Sequence, residues 1–195
     1  PNAYGKTTDL TVMAGTQYAY SFDKFLFMPS DLTAGLEYSF DHLKDEMIGY
    51  NRFTNQKVHI ESAFLQNEWK NKRWSFLIGG RLDKHNMMDH IIFSPRANIR
   101  FNPTEDIRAS YSSGFRAPQA FDEDMHISAV GGEVAMIQRA KDLSEEKSRS
   151  LSASVDFYHR FKNGIQLNFL VEGFYTSLSD VFVLEDIGKD EQGNL

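Results

Sequence analysis

Cysteine is absent from this 195-residue sequence. Its absence excludes disulfide bonds and thiolate sites, and it fits an exported protein. No stretch approaches the roughly 18 uncharged apolar residues that a membrane-spanning helix requires. Residues 1–5 also lack the basic segment, apolar run and cleavage site of a secretory signal. Helical membrane spans and disulfide frameworks are therefore excluded by what the sequence lacks.

Acidic residues outnumber basic ones, 27 to 21, and the net charge of -6 argues against a nucleic-acid partner. A hydrophobic content of 41% is enough for a core, and aromatic residues make up 13% of the chain. That aromatic share is ordinary for a β-barrel with aromatic girdles. The mean hydropathy of -0.45 is typical of a soluble protein. A spanning β-strand, however, presents only every second residue to lipid, so alternation carries the signal instead of average hydropathy.

Apolar residues alternate with polar ones in a succession of segments about ten residues long, and no segment predicts a helix of any length. About eight strands are predicted in this way. The apolar faces of the clearest ones are Leu32, Ala34, Leu36, Tyr38 and Phe40; Trp74, Phe76, Ile78, Gly80 and Leu82; Leu151, Ala153, Val155 and Phe157; and Ile165, Leu167, Phe169 and Val171. A change of phase between Val58 and Trp69 suggests a β-bulge there.

Charged residues recur on the opposite face of these strands, among them Glu37, Arg81, Asp83, Arg96 and Arg108. So many charges favour a wet lumen or a polar plug over a dry core. The connections alternate in length: residues 70–72, 102–105 and 162–164 are short, whereas residues 41–56, 85–91 and 116–147 are long. Such alternation distinguishes the two ends of an outer-membrane barrel. The prediction is an all-β protein, an antiparallel up-and-down β-barrel of outer-membrane type.

The strand count leaves two kinds of barrel open, a complete small one or about eight strands of a larger, plugged one of roughly 22 strands. Residues 188–195 have the composition of a loop, whereas a closed small barrel is expected to finish in a strand that pairs with the first. We therefore expect residues 1–195 to form a partial transmembrane β-barrel domain of a longer chain.

Three segments in order resemble the barrel of TonB-dependent receptors of the outer membrane of Gram-negative bacteria. They are residues 63–70 (AFLQNEWK), residues 74–83 (WSFLIGGRLD), and the pair formed by residues 95–98 (PRAN) and 111–118 (YSSGFRAP). Residues 143–148 (LSEEKS) resemble the family's entry into a further strand, with Glu145 in place of the usual proline. The motif positions expected to have a structural role are Trp69, Arg81, Asp83, Phe115, Arg116, Pro118 and Glu146.

The resemblance implies a large barrel that encloses an N-terminal plug and imports a scarce nutrient, such as a metal chelate, cobalamin or a glycan. Energy would come through the TonB complex, which contacts a region that is not in this sequence. The other expected partner is outer-membrane lipid, and an isolated piece of barrel is expected to self-associate through its open sheet edges. No cofactor is expected.

Ligand-binding candidates lie in the longest connection: Arg116, which could contact an anionic nutrient or pair with Glu146, and Asp122, Asp124 and His126. The last three could supply oxygen and imidazole ligands to a metal, but their spacing matches no metal-binding template, so a solvated acidic loop is the simpler interpretation. A second polar cluster contains Asp83, His85, Met87, Met88, Asp89 and His90. It too is more simply read as a loop with incidental polar residues, and no metal site is predicted.

No arrangement of nucleophile, base and orienting group predicts an enzyme. The alternating serines at positions 148, 150, 152 and 154 are interpreted as lumen lining. Two alternatives to the receptor stay open at this point. One is a soluble β-sandwich with carbohydrate-binding loops, whose apolar faces would meet a protein core. The other is a complete small outer-membrane barrel, recognisable by pairing of its first and last strands.

Overall fold

In the described part of the chain, eight β-strands follow one another in a single antiparallel sheet in which every strand pairs with its sequence neighbour. The computed structural model describes residues 5–48, 52–102, 106–118 and 143–183. The strands are β1 (Gly5–Phe25), β2 (Met28–Met47), β3 (Arg52–Lys70), β4 (Trp74–His85), β5 (Ile91–Phe101), β6 (Asp106–Arg116), β7 (Glu146–Arg160) and β8 (Gln166–Ser179). The predicted up-and-down arrangement of eight strands is confirmed.

No helix among these residues is long and apolar enough to cross a membrane.

The register of the ladders assigns every strand residue to one of two faces. Directly paired residues share a face, so Glu37, Ser62 and Asp83 lie together, and the pairs Arg81–Ser94, Arg96–Ser112 and Ser112–Ser150 carry that face across to β7. We call this polar side the inner face. The other side, the outer face, carries Ile78, Leu82, Phe93, Leu151 and Val155, all strongly exposed. The two-faced strands predicted from alternation are confirmed.

Aromatic side chains form two belts on the outer face. The turn-end belt consists of Phe25, Phe27, Trp69, Trp74, Phe76 and Phe101, whose rings stack or meet edge to face with centroids 4.1–6.4 Å apart. The loop-end belt consists of Tyr38, Phe40 and His59. His59 and Trp69 are ten residues apart on β3, or about 33 Å along a strand. With a tilt of roughly 40°, the belts lie about 25 Å apart along the barrel axis, the height of the lipid-facing band of a membrane-spanning barrel. Between them the outer face of β3 carries Ala63 and Leu65 but also Glu61 and Asn67.

Trp69 connects two strands of the turn-end belt through a hydrogen bond as well as through stacking. Its indole Nε1 donates to the Phe25 carbonyl oxygen at 3.0 Å. Replacement of Trp69 with Phe keeps the ring stacking and loses this bond, so we expect the free energy of unfolding of the full-length protein in lipid vesicles to fall by about 1 kcal/mol in urea titrations. Trp74→Phe is the matched control, because the Trp74 indole makes no hydrogen bond with a described residue. If Trp69→Phe and Trp74→Phe lower the free energy of unfolding equally, the hydrogen bond from Trp69 to Phe25 does not contribute to stability.

Two details of the predicted strands are wrong. Residues 41–56 are not a long loop, because β2 continues to Met47 and β3 begins at Arg52. The strands pass beyond the loop-end belt, where both faces tolerate polar residues and apolar alternation fades. The suggested bulge between Val58 and Trp69 is also absent, since the β2–β3 register is unbroken from Ser30–Trp69 to Met47–Arg52. The phase change arises because Val58, Ile60 and Phe64 lie on the inner face and Leu65 and Trp69 on the outer.

The bounds of the predicted short connections are confirmed to within two residues. All of these connections lie at one end of the sheet, the turn end. That end also holds a two-residue turn between β1 and β2, at Leu26 and Phe27, which the sequence did not predict. Leu26 has a φ of 63°, a left-handed conformation that tight hairpins require and that usually selects glycine or asparagine. The opposite end, which we call the loop end, connects β2 to β3, β4 to β5 and β6 to β7.

The two alternative folds are not observed. A sandwich needs a second sheet packed on the first, whereas the described strands form one sheet. A closed eight-stranded barrel needs β1 to pair with β8, and among the described strands these two pair only with β2 and β7.

Candidate functional site

A network of charged and hydroxyl groups lies on the inner face across β2, β3 and β4. Arg81 is its centre: its guanidinium contacts the Glu37 carboxylate, donates from Nε to Asp83 Oδ1 at 2.7 Å, and donates from Nη2 to Ser62 Oγ at 2.8 Å. Ser62 in turn donates to Asp83 Oδ1 at 2.6 Å. The side chain of Asp83 is only 2% exposed. A buried carboxylate is stable only with such partners, so the network fixes three strands to one another.

A cleft of about 300 Å³ opens beside this network on the inner face. The polar side chains around it are Gln17, Glu37, Gln66, Arg81, Ser94 and Arg96. The Phe64 ring, which also lines the cleft, packs directly against Gly35, where a Cβ would lie 2.4 Å from that ring and 2.8 Å from the Thr16 carbonyl oxygen. Arg96 differs from Arg81 in making no ion pair or side-chain hydrogen bond with another described residue. The cleft therefore presents an available guanidinium to the lumen.

Many of the buried side chains in the described chain lie near the loop end, among them Val58, His85, Met88, Ile92 and Glu145. Glu145 is 1% exposed, and its Oε1 lies 3.1 Å from both His90 Nε2 and Lys147 Nζ. Burial opposes ionisation of Glu145, but hydrogen bonds from its own backbone amide, from His90 and from Lys147 outweigh burial and lower its pKa. Glu145 thus ties the start of β7 to the β4–β5 connection.

The contacts of Glu145 predict that the free energy of unfolding depends on pH. The pKa of Glu145 is lower in the folded protein than in the unfolded chain. The ionised carboxylate therefore stabilises the fold fully above the ordinary carboxyl pKa of about 4.3, and this stabilisation is lost as the pH falls through the pKa of the folded protein. We expect Glu145→Gln to lower the free energy of unfolding of the full-length protein by about 1 kcal/mol at neutral pH, since both partners are partly exposed. The difference from wild type should shrink as the pH falls below the ordinary carboxyl value and vanish only below the lowered pKa of Glu145 in the folded protein.

Chemical denaturation in detergent at a series of pH values measures this difference. Glu46→Gln is the control, because Glu46 is exposed and makes no described ion pair. If Glu145→Gln lowers the free energy of unfolding by the same amount at acidic and neutral pH, then side-chain shape or packing, and not the charge, is responsible.

The candidate residues taken from the sequence occupy three different environments. Arg81 and Asp83 belong to the inner-face network, and Trp69 belongs to the turn-end belt. Arg116 Nη1 lies 3.7 Å from Glu146 Oε2, across the last pair of the β6–β7 ladder. Glu146 Oε1 also accepts a hydrogen bond from the Phe182 amide at 2.6 Å. Phe115 precedes this pair on β6, and Pro118 is buried just beyond the strand.

Asp122, Asp124 and His126 lie outside the described residues, so their role as ligand-binding candidates stays a prediction. The second polar cluster is divided between separate contacts. Asp83 is held by Ser62 and Arg81, His85 Nδ1 accepts from the Met87 amide at 3.0 Å, and His90 faces Glu145. No group of three or more His, Asp or Glu that could hold a metal occurs in the described ranges.

Glu145 and Ser62 are the residues of the loop-end contacts and the inner-face network that sequence reasoning missed. Glu145 appeared in the sequence only as a departure from a motif. Its burial depends on His90, 55 residues away, and no local pattern indicates such a contact. Ser62 could have been found, because it falls on the same face of β3 as Phe64 and opposite Asp83 once the register is known.

An antiparallel meander with an apolar outer face, two aromatic belts and a charged inner face defines the wall of an outer-membrane β-barrel. The sequence matches the family described as TonB dependent receptor-like, beta-barrel over residues 2–194. The chain therefore belongs to this family, and its location is the outer membrane of a Gram-negative bacterium. Among curated proteins, none matches the sequence.

Solved structures show the same fold. The siderophore receptor PirA from Pseudomonas aeruginosa is 17% identical, with a TM-score of 0.73 over 96% of this chain and 36% of that chain. PirA from Acinetobacter baumannii is 18% identical, with a TM-score of 0.59 over 88% of this chain and 34% of that chain. The outer membrane transporter YddB from Escherichia coli is 15% identical, with a TM-score of 0.54 over 77% of this chain and 24% of that chain. The chain thus spans about a third of the length of the two PirA receptors.

Proposed function

We propose that the chain forms part of the barrel of a receptor that imports a ferric siderophore across the outer membrane with energy relayed by TonB. The observation that carries this proposal is the charged inner face, because a wall with the Arg81 network and an available Arg96 suits a hydrated lumen and an anionic metal chelate. The family supports the receptor role. Two of the structures with the same fold are siderophore receptors, which favours a metal chelate over cobalamin or a glycan.

In this proposal residues 1–195 are a partial barrel domain of a longer protein. Further strands would pair with β1 and β8, and the plug and the segment that contacts TonB would lie elsewhere in the chain. The outer face would contact lipid between the aromatic belts. A piece restricted to these residues should self-associate, because both outermost strands would present unpaired backbone groups.

The ligand contacts are proposed to include Arg116 at the loop end and, in the same connection, Asp122, Asp124 and His126. Arg116 is 43% exposed although it faces Glu146. A long ion pair of this kind can yield to a stronger bidentate contact with a carboxylate or catecholate. The remaining motif residues are proposed to hold the wall together and not to touch the ligand.

Deletion of the parent gene tests the function. We expect the deletion strain to grow normally with abundant iron and to lose uptake of radioactive iron supplied as the chelate of the organism's own siderophore. A protonophore should abolish uptake by the wild type, because TonB relays energy from the inner membrane. Unchanged iron uptake together with loss of cobalamin or glycan uptake would overturn the assignment of the ligand, and unchanged uptake of all three would overturn the import function.

A further inference from the structure

Charged residues on the outer face are concentrated toward the loop end. None of those that the described ladders assign to this face lies in the turn-end half of its strand. The set comprises six cations and two carboxylates: Lys6, Lys44, Glu46, Lys57, Glu61, Lys84, Lys147 and Arg149. We propose that three of them, Lys44, Lys57 and Arg149, bind the phosphate groups of anionic lipids in the membrane leaflet at the loop end. We call these three residues the loop-end cations.

The loop-end cations are the members of this set whose positive charge is available to a ligand. All three are exposed, and within the described residues their side chains make no ion pair or hydrogen bond. The other three cations face a partner: Lys84 donates to the Met88 carbonyl oxygen at 2.9 Å, Lys147 Nζ lies 3.1 Å from Glu145 Oε1, and Lys6 is directly opposite Glu46. The loop-end cations also point away from the lumen. A nutrient inside the barrel is therefore not their ligand.

Lys57 lies at the height of the lipid headgroups. It is two residues beyond His59 of the loop-end belt on β3, or about 7 Å along the strand. With a strand tilt of roughly 40°, the Lys57 backbone is about 5 Å beyond the belt along the barrel axis. Aromatic belts mark the edge of the hydrocarbon, and the headgroup layer outside that edge is roughly 5–7 Å thick on each side. An ammonium group at this height meets phosphates and not acyl chains.

Lys44 and Lys57 are close enough to bind one phosphate group together. Lys44 is directly opposite Asn55 on β3, so Lys57 is its diagonal neighbour on the same face, at about 7–8 Å between Cα atoms. Two lysine side chains at that spacing can reach oxygens of one phosphate, which an ammonium group binds as a compact charge. His42, directly opposite Lys57, is already bonded to Asn55 Oδ1 at 2.8 Å. The phosphate contacts therefore come from the two lysines.

The one-sided placement of charge identifies the partner as a lipid headgroup. Exposure to water alone does not account for it, because the turn end also meets water and its paired outer-face residues in the described strands include no Lys, Arg, Asp or Glu. Cations beside a membrane are attracted by anionic lipids, and the attraction falls off within about 10 Å. The inference needs only the membrane location and does not depend on import of a nutrient.

Binding of a short-chain phosphatidic acid to the full-length receptor in an uncharged detergent tests the proposal. This lipid carries a phosphate monoester, and microscale thermophoresis measures its dissociation constant. We expect the triple variant Lys44→Gln, Lys57→Gln, Arg149→Gln to raise the dissociation constant at least 10-fold, since each cation adds to the attraction of an anionic headgroup. The matched control also removes two lysines and one arginine, but from the turns at the opposite end: Lys72→Gln, Lys162→Gln, Arg73→Gln. The control should leave the dissociation constant within twofold of wild type.

Three results would overturn the proposal. The first is equal affinity of the two triple variants for phosphatidic acid. The second is equally tight binding of the matching diacylglycerol, which lacks the phosphate. The third is displacement of the lipid by inorganic phosphate at the same concentration, which would assign the site to a free anion. If the first triple variant does not assemble as a heat-modifiable barrel, Lys57→Gln and Lys57→Arg replace it, and only Lys57→Gln should weaken binding. No nutrient enters these measurements, so failure of lipid binding and failure of import are distinguishable.

Discussion

Replacement of Leu151 with Arg should lower the free energy of unfolding of the full-length receptor in lipid vesicles by about 2–4 kcal/mol, the cost of placing a cation on the lipid face near mid-membrane. Leu151 is 55% exposed on the outer face and lies near the middle of β7, directly opposite Tyr175. No acidic residue shares that face in its immediate ladder pairs. The guanidinium must therefore extend toward the membrane surface or draw water and headgroups inward, and either adjustment costs free energy.

Ser152→Arg is the matched control, since it places the same side chain one residue away on the inner face. A cation there meets a hydrated lumen near Arg108 and Glu172, so we expect a change within about 1 kcal/mol. Reversible urea unfolding in vesicles, followed by tryptophan fluorescence, measures both variants. Equal losses would contradict the assignment of the two faces, and a larger loss for Ser152→Arg would show that the faces are reversed.

Strand number and facing could be predicted from the sequence because a membrane barrel imposes its requirements locally. A spanning strand presents mostly apolar residues at every second position to lipid, and most of the alternate residues are polar because they meet water. Ile78 and Leu82 opposite Arg81 and Asp83 already show this division within one strand. A one-residue error of register would place Arg81 in lipid, so the pattern also determines the pairing with Ser94.

Strand ends and turns could be predicted less well, because lipid does not select their residues. Beyond the loop-end belt, β2 and β3 continue through Leu43 and Gln56 as paired strands in which neither face requires strict alternation. The turn at Leu26 contains no glycine, asparagine or proline, the residues by which turns are usually recognised. Its conformation is held by the tertiary stacking of Phe25 and Phe27 on Trp69, which a local pattern does not reveal.

The inner-face network could be predicted only in its members and not in its connections. Glu37, Arg81 and Asp83 were recognisable as inward charges from their phase. Their partnership depends on the stagger of β2, β3 and β4, which brings Glu37 of β2 to Arg81 of β4, 44 residues later. The proposed ligand contacts lie in a connection, where no periodic pattern constrains the residues.

Arg81→Gln should produce the other large loss of stability, about 2–3 kcal/mol, because it leaves the buried Asp83 carboxylate without its cation. Asp83 Oδ1 would keep only the Ser62 hydroxyl, and its Oδ2 already has no hydrogen-bond partner within the described residues. The expected loss is smaller than for a fully buried pair, because the Arg81 side chain is 39% exposed and water can reach part of the site.

A double-mutant cycle separates the charge from the packing. Asp83→Asn in the Arg81→Gln background removes the uncompensated charge, so we expect the double variant to be more stable than Arg81→Gln alone by at least 1 kcal/mol. Arg96→Gln is the control, since Arg96 lies on the same face without a described ion pair, and its effect should stay within about 0.5 kcal/mol. If Arg81→Gln and Arg96→Gln are equally mild, lumen water satisfies Asp83, and the network does not fix the three strands.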